Sequence, residues 1–176
     1  MGASMGVELE SMAIEMPEVE GHPNRAEFRG VLTILDVASD RPPSGARGHR
    51  VILTKRAAEA AMPSLLGMAL DYAPALDRHD ARRKVGVITS AELVGRTIEV
   101  GGFLYAHDFP EIVEEIREAG RDELAMSYEI ADAEIEDTRC GIWVLKSATF
   151  TGAAILKREK AAYKGTWIEL AEYQGF

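Results

Sequence analysis

Glu123-Leu124-Ala125-Met126-Ser127-Tyr128-Glu129-Ile130-Ala131 is the stretch that decides the fold, because its side chains alternate in size and polarity residue by residue. A strand points successive side chains to opposite faces, so Leu124, Met126, Tyr128 and Ile130 share one face while Ala125, Ser127 and Ala131 share the other. The first face is bulky and suited to a core. The second is made of small residues, so another molecule can reach the Ser127 hydroxyl without meeting a large neighbour.

Working outward, Asp108-Phe109-Pro110-Glu111 has the proline and acidic groups of a helix start. Ile112, Val113, Ile116 and Ala119 follow at helical spacing, and Gly120 closes the helix just before the strand. Upstream, Val85-Gly86-Val87-Ile88-Thr89 and Thr97-Ile98-Glu99-Val100 form a predicted hairpin around Gly95. Phe28 to Leu35 is β-rich and gives way to the loop Ser39-Asp40-Arg41-Pro42-Pro43-Ser44-Gly45. Arg50-Val51-Ile52-Leu53 is a further strand, after which Thr54 caps an alanine-rich helix from Lys55 to about Ala61. Downstream, Ile142 to Leu145 and Thr166 to Leu170 supply strands, with a helical stretch expected near Leu156 to Tyr163. Strands and short helices do not alternate regularly, so the class is α+β: a largely antiparallel sheet or barrel ringed by short helices.

The chain has 176 residues, of which 47 % are hydrophobic, enough for one well-filled core. Residues 1–24 are Gly-, Met- and Glu-rich without a sustained period and read as a flexible arm, leaving 25–176 as the folded domain. The arm lacks the basic start and apolar block of a secretion signal, and the longest apolar runs fall far short of the ~20 residues of a spanning helix, so no membrane partner is expected. Twenty-nine acidic and 20 basic residues give a formal charge of −9, which repels a phosphate backbone and argues against nucleic acid. The single cysteine, Cys140, allows no intrachain disulfide and points to a reducing compartment. Histidines 22, 49, 79 and 107 are 27, 30 and 28 residues apart, with no close-spaced pair, so no metal or other cofactor is expected. The adjacent pair His107-Asp108 falls at the predicted helix start and reads as a cap.

A serine becomes a nucleophile when a base takes its proton, and neutral imidazole is the usual base. His79 lies in Asp77-Arg78-His79-Asp80-Ala81-Arg82-Arg83-Lys84, a polar loop leading into a strand, and such loops often hold catalytic groups. Taken alone, a small serine in a strand also serves packing, and a His-Asp pair in a charged loop also serves solvation. From the residues by themselves the chain is an α+β domain with a candidate base and a candidate nucleophile.

His79-Asp80 followed by Lys84-Val85-Gly86-Val87-Ile88 resembles the segment of tailed-phage prohead proteases in which His-Asp and a short basic loop precede Ile-Gly-Lys-Val. Ile98-Glu99-Val100-Gly101-Gly102-Phe103-Leu104 is similar to their Leu-x-Val-x-Gly-x-Leu strand. Leu124-Ala125-Met126-Ser127-Tyr128-Glu129-Ile130 resembles their Gly-Leu-Ser-Ile-Gly-Phe strand, whose serine is the nucleophile. Ser147-Ala148-Thr149-Phe150-Thr151-Gly152-Ala153-Ala154 resembles their closing Glu-Val-Ser-Leu-Val-x-x-Pro-Ala strand. The likeness spans roughly residues 28 to 163, and its motifs persuade through their shared order. Prohead proteases in turn resemble the herpesvirus assemblins in fold.

The resemblance implies a serine endopeptidase with His79 as base, Ser127 as nucleophile and Ser147 at the third position. It implies scaffold and major capsid protein as substrates, self-cleavage, a homo-oligomer, and action inside the assembling prohead in the host cytoplasm. Two departures bear on this. Ser147 stands where the family has a carboxylate, or a second histidine in assemblins, and a serine cannot supply negative charge to an imidazolium. Asp80, beside the base, and Glu129, on the Ser127 face, are both substitutes, and the sequence does not choose between them. Ala125 also replaces the glycine before the family's Leu-Ser pair. Assemblins hold the oxyanion with an arginine-bearing loop, and Lys157-Arg158 occupies the comparable place. The alternative is a head-assembly or scaffold-binding module with the same fold and no activity, which the serine at 147 motivates.

Overall fold

The computed structural model describes residues 11–13 and 21–171. The strands are β1 (Ser11–Ala13), β2 (Ala26–Ile34), β3 (Arg50–Leu53), β4 (Ala69–Asp71), β5 (Lys84–Val94), β6 (Thr97–Leu104), β7 (Leu124–Ile135), β8 (Ile142–Lys157) and β9 (Trp167–Leu170), the longer ones drawn from stretches carrying β-branched and aromatic residues. Two α-helices, α1 (Lys55–Ala61) and α2 (Pro110–Glu123), and two 3-10 turns, Met62–Leu65 and Arg158–Lys160, complete the order among the described residues. Among the described residues the strands form one sheet in the order β3-β8-β4-β5-β6-β2-β9, with β1 added to β5 and β7 to β8. Most pairings are antiparallel; β3 and β4 run parallel to β8. The class is therefore α+β, a curled, largely antiparallel sheet with few short helices.

The curl brings β7 close to the far end of the sheet. Thr166, just before β9, is fully buried, and its Oγ1 accepts the Met126 N–H of β7 at 3.1 Å. The core holds Phe28, Leu32, Ile88, Leu104, Phe150 and Ile155, all 2 % exposed or less. Burying each such side chain is worth about 1.5–3 kcal/mol relative to leaving it in water.

Local signals explain the helices. Thr54 caps α1 by accepting the Ala57 N–H at 3.1 Å, and Ala57, Ala58 and Ala61 pack against β8. In α2, Ile112, Val113 and Ile116 are buried, and the helix packs on β9 and β7. Gly120 stops the regular helix at φ +51, a conformation that costs glycine little, and one more turn leads into β7. The N-terminus of α2 departs from expectation. Asp108 caps nothing and instead accepts from the Asn24 side chain, while the Asn24 Oδ1 accepts the His107 N–H.

The helical stretch expected near Leu156 to Tyr163 is mostly strand and loop. β8 runs on through Lys157, and only Arg158–Lys160 forms a single 3-10 turn. Ala153, Ala154, Ile155 and Leu156 are all buried, and a short apolar run covered on both faces is strand or helix with equal periodicity. The arm expected over 1–24 lies largely outside the described residues; within it, Ser11–Ala13 pairs antiparallel with Ser90–Glu92 of β5.

Candidate active site

Three adjacent strands make a platform at one end of the sheet. Asp71 of β4 is in register with Ala154 of β8, and Ala154 is in register with Ser127 of β7. Two residues along, Gly152 of β8 pairs with Glu129 of β7. Residues opposite each other in a ladder share a face, so Asp71, Ser127 and Glu129 point the same way across a floor of Gly152 and Ala154. The floor must stay small. A Cβ on Gly152 would meet Glu129 Oε2 at 3.0 Å.

The loop between β4 and β5 lays His79 over that floor. Leu76, 1 % exposed, anchors the loop in the core, and its carbonyl accepts the Lys157 N–H at 2.8 Å. Its φ of +51 is costly for a leucine, on the order of 1–3 kcal/mol, and is sustained by that burial and that bond. The Asp80 N–H donates to Asp71 Oδ1 at 3.1 Å, which fixes the residue next to the imidazole.

The imidazole then bridges the platform. His79 Nε2 lies 2.9 Å from Ser127 Oγ, the two groups being 48 residues apart in sequence. On its other side Nδ1 lies 3.1 Å from Glu129 Oε1 and 3.9 Å from Asp71 Oδ1. Neither carboxylate is aligned for a hydrogen bond with Nδ1, which is buried with no partner of that kind. The His79 side chain is 21 % exposed, Glu129 34 % and Asp71 0 %. Burial holds the Asp71 carboxyl above the ordinary aspartate range, against the opposing pull of the Asp80 N–H and of His79.

The structure thus brings His79 and Ser127 together and leaves Ser147 out. Ser147 pairs with Glu134, seven residues along β8 from Ala154, which at ~3.3 Å per residue is more than 20 Å from the platform. Of the two substitutes, Glu129 faces the imidazole and Asp80 does not. The Asp80 carboxylate accepts the Arg82 N–H and pairs with Arg83 Nε at 3.2 Å, inside its own loop. Asp71 was not singled out by the sequence. Its signal was a lone carboxylate in the apolar run Met68-Ala69-Leu70-Asp71-Tyr72-Ala73, where an unpaired charge is costly enough to need a reason. Arg158, at the place expected for an oxyanion-binding arginine, donates from Nη2 to the Arg121 carbonyl at the end of α2.

A small depression of about 20 Å³ touches Ser127, lined chiefly by Leu32, Val51, Met126, Tyr128 and Tyr163. Burial pushes the Tyr163 hydroxyl up to about 12, and it lies 3.0 and 3.1 Å from the Val37 and Val51 carbonyls.

No family model matches the sequence, and no curated protein matches it. Solved structures do match in shape. The protease of Kaposi's sarcoma-associated herpesvirus, in complex with a hexapeptide phosphonate inhibitor, superposes with a TM-score of 0.52 at 10 % identity, over 84 % of this chain and 66 % of that one. The same viral protease with an allosteric inhibitor gives 0.46 at 12 % identity, over 84 % and 77 %. The capsid assembly protease of bacteriophage T4 gives 0.41 at 12 % identity, over 76 % and 98 %. The chain spans just under two thirds of the first of these proteins. That first likeness establishes an assemblin-like fold.

Proposed function

We propose that the protein is a serine endopeptidase that matures viral heads, with Ser127 as nucleophile and His79 as general base. The observation that carries the proposal is the 2.9 Å separation of His79 Nε2 and Ser127 Oγ, within the reach that proton transfer requires. As Ser127 Oγ attacks a peptide carbonyl, its proton passes to Nε2 and the ring becomes positive. Glu129 and Asp71 face the opposite nitrogen and supply the negative charge that Ser147 could not. His79 then gives the proton to the departing amine, and water, with His79 again as base, hydrolyses the acyl-serine.

Ser127 and Glu129 are only part-buried, so a substrate can reach the hydroxyl; the depression beside it, about 20 Å³, holds little more than a water molecule. The assemblin-like fold and the order of the prohead-protease motifs extend the proposal to scaffold and major capsid protein as substrates, to self-cleavage, and to a homo-oligomer acting inside the prohead in the host cytoplasm. Co-expression with scaffold and shell protein tests it. Ser127→Ala and His79→Ala should each abolish cleavage while far-UV circular dichroism stays unchanged, and a fluorophosphonate should label the native chain but not Ser127→Ala. Unaltered cleavage in Ser127→Ala would overturn the assignment. Absence of both labelling and cleavage in the native chain would favour the inactive assembly module.

A further inference from the structure

We propose that Asp71, Glu129 and Nδ1 of His79 together bind a single Zn²⁺ ion that switches the hydrolytic centre off. The ligand atoms of these three residues lie within 4.8 Å of one another. A tetrahedral zinc site with bonds of ~2.0–2.1 Å sets its ligand atoms roughly 3.3 Å apart, so the cluster closes onto the ion with movements of about 1 Å or less per side chain. One imidazole and two carboxylates leave a fourth position for water.

Two observations beyond proximity point to a cation. Asp71 is completely buried, yet its Oδ2 has no hydrogen-bond partner. Nδ1 of His79 is likewise buried and without one. A buried carboxylate oxygen and a buried ring nitrogen, both unsatisfied within one three-residue cluster, are costly in the free protein, and a divalent ion bound by the Asp71 carboxylate and Nδ1 relieves that cost. Glu129, 34 % exposed, gives the ion a way in from solvent. Backbone contacts prepare the geometry: Asp71 Oδ1 is held by the Asp80 N–H, and β4 and β7 are fixed on either side of β8.

Inhibition follows from the ring's proton inventory. A neutral imidazole carries one N–H. To act as a base toward Ser127 it must carry that hydrogen on Nδ1 and present a lone pair at Nε2. Zn²⁺ takes the lone pair of Nδ1, so the hydrogen resides on Nε2, which then donates to Ser127 Oγ and cannot accept its proton. The inhibitory consequence rests on the endopeptidase reading above; the binding does not.

Ser127→Ala supplies a background for binding measurements that needs no activity. Isothermal titration with ZnCl₂ should give one site per chain in this background. Adding Glu129→Gln or Asp71→Asn should weaken the site at least about tenfold, whereas His22→Ala, His49→Ala, His107→Ala and Cys140→Ser should leave it intact. Long-range ¹H–¹⁵N spectra should show Nδ1 of His79 moving to a metal-bound shift, with the hydrogen held on Nε2. Should Asp71→Asn fail to fold, Glu129→Gln and the ring-nitrogen spectra decide the matter alone. Unchanged affinity in Glu129→Gln, or an Nδ1 signal unmoved at saturating Zn²⁺, would overturn the proposal. In the native chain, cleavage should fall in step with zinc occupancy and return with EDTA. Zinc bound at His79 in a chain that cleaves nothing would uphold the ion site and remove the endopeptidase reading.

Discussion

Glu129 and Asp71 stand behind one imidazole and differ in kind: Glu129 is nearer and partly solvated, while Asp71 is farther and sealed. If both stabilise the positive ring, neither is irreplaceable. Glu129→Gln is expected to lower kcat by about 10–100-fold and Asp71→Asn by less. The double substitution should approach the ~10⁴-fold loss seen when the single carboxylate of a Ser-His-Asp triad is neutralised. Steady-state kinetics on a peptide substrate, with KM little changed, is the check. Ser127 and His79 were legible because each sits in a motif of its own neighbours. Of the carboxylates behind the imidazole, Glu129 was legible from the face it shares with Ser127; Asp71 was not, because its place depends on strand register across β4, β8 and β7. That register aligns Asp71 with Ser127 and carries Ser147 off beside Glu134.

At the scale of elements, β7 owes its position partly to a side chain that is not in a strand. Thr166 Oγ1 takes the Met126 N–H and lies 3.1 Å from the Met126 carbonyl and 2.8 Å from that of Tyr163, replacing a ladder neighbour at the residue preceding Ser127. Thr166→Val keeps the shape but strands a buried N–H, and should cost about 1–3 kcal/mol in urea denaturation, with a fall in kcat as Ser127 loosens. Gly102 of β6 serves close approach: a Cβ there would lie 2.0 Å from the Val87 carbonyl and 3.0 Å from the Phe28 ring. Gly102→Ala must push β5 away from β6 and is expected to destabilise by on the order of 2–4 kcal/mol, read as a lower denaturation midpoint. Most elements were legible from periodicity, turns and caps, as at Thr54 and Gly120. The end of β8 was not, since the run Ala153 to Leu156 is apolar on both faces and only its neighbours, β4 and β7, determine that it is extended.

Across the whole molecule, one ionic cluster ties together parts of the chain that are distant in sequence. Glu169 of β9 receives Arg121 from the end of α2 at 2.8 and 3.0 Å and Arg29 from β2 at 2.7 Å, while Arg121 also stacks over Trp167 at 3.8 Å. The bond from Arg121 holds the Glu169 carboxyl below the ordinary glutamate range, with Arg29 adding to it. As pH falls, the unfolded chain is protonated at this site before the folded one, so the contribution is present above the ordinary glutamate range and fades as pH drops toward the depressed folded value. Both arginines are well exposed, so Glu169→Gln is expected to cost no more than about 1 kcal/mol at pH 7. The difference from the native chain should shrink as pH falls below the ordinary glutamate range when the two are compared by urea titration.

β8 sets the order in which the molecule can come into being. During synthesis, β4 with Asp71, the loop with His79 and β7 with Ser127 all leave the ribosome before the strand that lies between them. Until Ala154 slots in, nothing holds the two flanking strands at their working separation of two ladder spacings, roughly 10 Å. On the proposed reading, a nascent or truncated chain ending short of residue 154 therefore lacks the assembled His79–Ser127 pair, and hydrolysis waits until β8 has been made.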